Sequence, residues 1–138
     1  MIKAKQKTLR FIVPLKVYPF DVMVSFGETN EQLEKVLRGI GITADDDIEL
    51  AMLRSDTVSG RACMFSSNQS LIRLTKIPVI PADFAKLQHE IFHVVHFIME
   101  RVGMEYKTMV SDEAYAYLIQ YLTQEIYMKV FGHTIKKK

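Results

Sequence analysis

His89-Glu90-Ile91-Phe92-His93 lies in a run where Phe84, Leu87, Ile91, Val94, Val95, Ile98 and Val102 recur at three- and four-residue steps, the period of an α-helix. Pro78 and Pro81 bar extension upstream, Asp83 suits the positive end of the helix dipole, and Gly103 offers a left-handed stop. Both ends of a helix are therefore marked. Side chains four apart share a helix face with Cβ atoms about 5–6 Å apart, so His89 and His93 can each bring a ring nitrogen to one ion at about 2.0–2.1 Å. Glu90 lies one step round the helix, placed to reach a water at that ion and act as a general base.

A catalytic zinc needs three protein ligands and an open position. Beyond a short connection, Ser111 is positioned as an N-cap, Asp112 and Glu113 fill a first turn, and Gly132 stands where a stop is expected, which predicts a second helix over about 112–131. The connection is short enough to make the two helices packed neighbours, and Glu113, 20 positions after His93, is the candidate third ligand.

With these residues in view, the segment 83–131 resembles the gluzincin branch of the small zincin (HExxH) metallopeptidases, in which an HExxH helix precedes a second helix carrying a ligand glutamate. The string Glu113-Ala114-Tyr115-Ala116 is similar to the E-A-x-A segment of the ImmA/IrrE-type metallopeptidases. The resemblance implies Zn2+ held by His89, His93 and Glu113, Glu90 as base, and a protein or peptide substrate. It does not extend to the first eighty residues. Thermolysin-like enzymes add a histidine that stabilises the transition state, and here only His133 follows the second helix. A tyrosine can give the same hydrogen bond to an oxyanion, so Tyr106 and Tyr117 are the catalytic candidates, against the ordinary use of tyrosines as core and interface area. His96, three residues after His93, is read as a second layer behind the ligands or as core, because a straight helix rises about 1.5 Å per residue and carries it past the ion. The metzincin pattern would need glycine at His96 and histidine at Met99, and has neither.

The 138 residues suit one domain over 1–138, and half the residues are apolar with a quarter charged, as in soluble proteins. A formal charge of +2 gives no nucleic-acid footprint, and the lysines among the first seven residues and at 136–138 read as solvated ends. No membrane-length apolar span or secretory leader is expected, and the single Cys63, which excludes an internal disulfide, fits a reducing cytoplasm. Cys63 itself reads as a buried small side chain.

Upstream of the helix pair, 10–15 and 20–26 read as strands, the second alternating at Phe20, Val22, Val24 and Phe26 with Met23 as the one break. Thr29 with Gln32 makes a capping box for a short helix ending at Gly39 or Gly41. Asp45-Asp46-Asp47 lacks the spacing of a calcium loop and reads as helix capping, and 48–53 is open between helix and strand. The runs 61–65 and 70–75 flank Ser66-Ser67-Asn68-Gln69 as a hairpin, either an internal sheet pair or an exposed edge that holds an extended peptide. The expected fold is α+β, a small, mostly antiparallel sheet from the N-terminal half packed on an HExxH helix and a second C-terminal helix, minimal and zincin-like. The function to be tested is that of a zinc metallopeptidase; its rivals are a non-catalytic zinc-binding interaction module and a metal-free helix-pair interaction protein.

Overall fold

The computed structural model describes residues 7–136. Of the terminal lysines only Lys7 has a described side chain, and it is exposed; Lys136 is described in its backbone alone, and the others lie outside the described residues. The elements run β1 (Leu9–Pro14), β2 (Asp21–Phe26), α1 (Asn30–Gly39), α2 (Asp45–Ala51), β3 (Gly60–Met64), β4 (Ser70–Leu74), α3 (Pro81–Arg101) and α4 (Asp112–Lys136). The α+β class holds, and the sheet is mixed: in the order β1-β2-β4-β3, β1 and β3 run antiparallel to their neighbours while β2 and β4 are parallel.

Both sheet faces are covered. Val22, Val24, Phe26, Ile72 and Leu74 bury against Leu87, Ile91, Val94 and Ile98 of α3 and against Leu118, Leu122 and Ile126 of α4. Met23, Cys63 and Leu71 point the other way, against Leu33 and Leu37 of α1 and Ile48 and Ala51 of α2. Met23 is thus no defect in an alternating strand; the period-2 pleat delivers it to a second apolar layer.

Local signals account for several boundaries. The Thr29 hydroxyl accepts from the Gln32 amide at 3.1 Å while Gln32 Oε1 accepts from the Thr29 amide at 2.8 Å, completing the capping box. The open stretch after the three aspartates is helical to Ala51, and Asp47 accepts the Ser66 amide and hydroxyl, tying α2 to the β3–β4 turn. Asn68 takes a left-handed φ of 74° in that turn, a conformation asparagine tolerates better than most residues. Pro81 opens α3, and Gly103 leaves it with φ 77°.

Two expectations are corrected. Helix α4 does not stop at Gly132 but continues to Lys136, because one glycine costs a helix only about 1 kcal/mol and Val130 behind it is buried. The Ser111 hydroxyl does not cap the first turn; it accepts the Lys107 amide at 2.8 Å and donates to the Glu105 carbonyl, folding the connection onto itself.

Candidate metal and peptide site

Helix α3 lies beneath β3 and β4 and beside α4. Its apolar stripe, Leu87, Ile91, Val94, Val95 and Ile98, is fully buried, which fixes its rotation and turns His89 and His93 to the surface. The Nε2 atoms of the two histidines stand 3.1 Å apart with ring centroids at 4.7 Å. Two donors about 2.0–2.1 Å from a tetrahedral ion are separated by about 3.3 Å, so the pair presents one edge of such a site. The same distance serves a hydrogen bond in which one neutral ring donates Nε2–H to the other, an arrangement a cation would replace by taking both lone pairs.

Glu90 is 8 % exposed, tucked between α3 and the start of β3. Burial raises its carboxyl above the ordinary value, while the charges of His89, His93 and Arg61 pull it back. Gly60 packs beside it. A Cβ at Gly60 would lie 2.8 Å from Leu74 Cδ2, 3.3 Å from the Arg73 carbonyl and 3.5 Å from Glu90 Cγ, so a side chain there would collide with the sheet before it reached the glutamate.

β3 is the edge strand, and its outward main chain follows from its register. Thr75 donates to the Ser59 carbonyl at 3.1 Å and Phe65 to the Gln69 carbonyl at 2.8 Å, which makes 59, 61, 63 and 65 the positions bonded to β4. Gly60, Ala62 and Met64 therefore direct amide and carbonyl off the free edge, where no strand pairs with them among the described residues. Of the two readings left open by the sequence, 61–65 is the edge and 70–74 the internal strand. Next to Gly60 a cavity of about 390 Å³ is lined by Ser59, Gly60, Ala85, Lys86, His89 and Glu90. The sequence reading singled out neither Gly60 nor Lys86. A glycine at the mouth of a strand is a signal of close backbone approach, but the partner of that approach lies thirty residues away.

The other candidates do not join this group. Across the α3–α4 hairpin, the His96 ring meets Tyr115 at 5.1 Å, Gln88 donates to Thr123 and Tyr127 at 3.1 Å, and Phe84 meets Tyr127 and Phe131 at 5.0 and 5.7 Å. The helices are antiparallel, and this pairing sets Glu113 level with the last turn of α3, about 10 Å along the axis from His93 at 1.5 Å per residue. Glu113 is exposed, and among the described residues no three His, Cys, Asp or Glu side chains are grouped to hold a metal. The expected set of His89, His93 and Glu113 is thus not brought together. Tyr117, 66 % exposed, lines an apolar groove with Leu15, Val17 and Tyr121. Tyr106 packs edge-on against Tyr115 at 5.2 Å. Neither tyrosine borders the cavity at His89. His96, half-buried, lies against Phe92 and Tyr115.

Comparison of the chain with protein-family models, with curated proteins and with solved structures gives no match. Among the described residues no helix is long and apolar enough to cross a membrane.

Proposed function

We propose that the chain is a zinc-dependent peptidase in which His89 and His93 supply two of the metal's three protein ligands, a third donor closing on the ion when it binds, Glu90 is the general base and β3 receives the substrate. The observation that carries this reading is the 3.1 Å approach of the two Nε2 atoms beside a sheltered carboxylate, itself against an unpaired strand edge. A bound zinc supplies Lewis acidity, polarising an amide carbonyl and lowering the pKa of water. Glu90 takes the proton of the attacking water and passes it to the leaving nitrogen. Gly60, Ala62 and Met64 offer main-chain donors and acceptors to an extended peptide, which gives affinity with little demand on its side chains.

The test uses untagged protein, since a polyhistidine tag would supply its own ligands. Elemental analysis after zinc addition should find one equivalent in the wild type and in Glu90→Gln, and a clear loss in His89→Ala and in His93→Ala. Hydrolysis of a mixed peptide pool, read by mass spectrometry, should fall by about 10²–10⁴-fold in Glu90→Gln. No zinc uptake by the wild type would end the reading.

One observation favours a second reading, the zinc-binding interaction module. The histidines are exposed, their neighbour Phe92 is 51 % exposed, and no third donor is gathered beside them among the described residues. A partner protein could then complete the coordination. Zinc uptake without hydrolysis of any pool would select this module.

A further inference from the structure

The cavity beside Glu90 contains a charge that the mechanism above does not use. Three of its six lining residues, Ser59, Gly60 and Ala85, are small, so the chain does not fill the space itself. His89 and Glu90 form the reactive side, and Lys86 is the only other ionisable group in the lining. Lys86 precedes Glu90 by four residues, the less favourable order for an ion pair along a helix. That pair is not made: among the described residues Lys86 enters no ion pair. Its side chain is exposed to solvent and lines the cavity.

We propose that Lys86 makes this cavity a subsite for a substrate carboxylate next to the scissile bond. The inference rests on the peptidase reading for the words substrate and scissile, but not for the ion pair itself. Lys86 lies three residues before His89, about 4.5 Å along the helix axis, a distance that a flexible four-carbon stem spans with ease. An extended peptide on the β3 edge with its reacting carbonyl near His89 would bring the adjoining residue over Ala85 and Gly60. A peptide carries a carboxylate there in one of two ways, as an Asp or Glu side chain or as its own C-terminus. An incoming carboxylate also drives water from the cavity, which strengthens its attraction to the ammonium.

Binding to the metal-free full-length chain tests this without turnover. The probes are hexapeptides capped at both ends that differ only by Glu or Gln at one central position, and the same Gln peptide with a free C-terminal acid. Titrations followed by amide NMR shifts should give at least about fivefold tighter binding for a carboxylate-bearing member, with shifts centred on Gly60, Ala85 and Lys86. Preference for the Glu peptide identifies a side-chain subsite, and preference for the free acid a terminal-carboxylate subsite. Lys86→Met should abolish the preference and Lys86→Arg should keep most of it, while the unchanged NMR spectrum elsewhere certifies the fold. Equal affinities in the wild type, no binding by any probe, or a preference that survives Lys86→Met would each overturn the proposal. Absence of hydrolysis in the zinc-loaded protein is read separately and bears on the peptidase reading alone.

Discussion

At the residue scale, the division of labour among three neighbouring side chains comes from helix geometry. A step of one residue turns the chain about 100°, so Glu90 is carried off the exposed face that bears His89 and His93 and into the angle between α3 and β3. The histidines stay accessible to an ion, while the carboxylate is partly desolvated beside Gly60. The motif itself was legible in the chain because it is local: five residues and one helical period specify it. Glu113 was not legible in the same way, since its use as a ligand depends on how far one helix is offset against another. The structure decides that offset, and a prediction follows. Glu113→Gln should leave zinc affinity within about twofold of the wild type, whereas His93→Ala should lower it by more than about tenfold, since loss of even a supporting partner of a metal ligand costs about that much. Competition titration with a zinc-binding dye measures both, and a large loss in Glu113→Gln would mean that α4 moves to bring its first turn to the metal.

At the scale of elements, the ends of α3 show which boundaries a sequence can declare. Pro81 and Gly103 act on their own backbone, and the Thr29–Gln32 box acts across three residues, so each could be read directly. The hairpin register of α3 and α4 is set instead by the contacts of Gln88, Phe84 and His96, and the end of α4 by burial of Val130. Asp83 gives the start of α3 a measurable electrostatic contribution. Its buried carboxylate accepts the Val79 and Ile80 amides at 3.0 and 3.2 Å and pairs with Lys76 at 3.2 Å. Burial alone would raise its pKa, but the two amides and the ammonium outweigh it and hold the group below its ordinary value. With the folded pKa depressed, the stabilisation is fully present above the unfolded value of about 3.9 and is lost as pH falls through the folded one. Asp83→Asn removes the negative charge from the helix start and its charge-assisted hydrogen bonds, and should cost about 1 kcal/mol at pH 7. Urea unfolding of metal-free protein should show that cost shrinking once pH drops below 4, and a cost independent of pH would refute the electrostatic account.

At the scale of the whole molecule, the sheet is the partition on which both helical layers depend. The antiparallel β3–β4 hairpin was readable from its turn residues, but the parallel pairing of β2 with β4 joins segments separated by α1, α2 and β3 and leaves no local mark. Its consequence, a sheet covered on both faces, was present only as the misfit Met23. Arg73 of β4 helps close the α1–α2 side from within, donating to the Ala51 and Glu28 carbonyls at 2.9 and 2.8 Å and to Asn30 Oδ1 at 2.6 Å. Cys63 lies on the same side of the sheet, 4 % exposed, and burial, its largest influence, pushes the thiol up to about 12 against the pull of Arg61. A thiol so placed reacts when β3 parts from the α1–α2 layer, so its labelling should report that opening. Iodoacetamide at pH 8 should label the native chain at least about a thousandfold more slowly than the urea-unfolded chain, given ordinary domain stability of several kcal/mol. Asp83→Asn should speed native labelling at pH 7 by about fivefold, as its loss of about 1 kcal/mol requires. If native labelling came within tenfold of the unfolded rate, the layer over Cys63 would be opening independently of α3, and the two faces of the sheet would not be one cooperative unit.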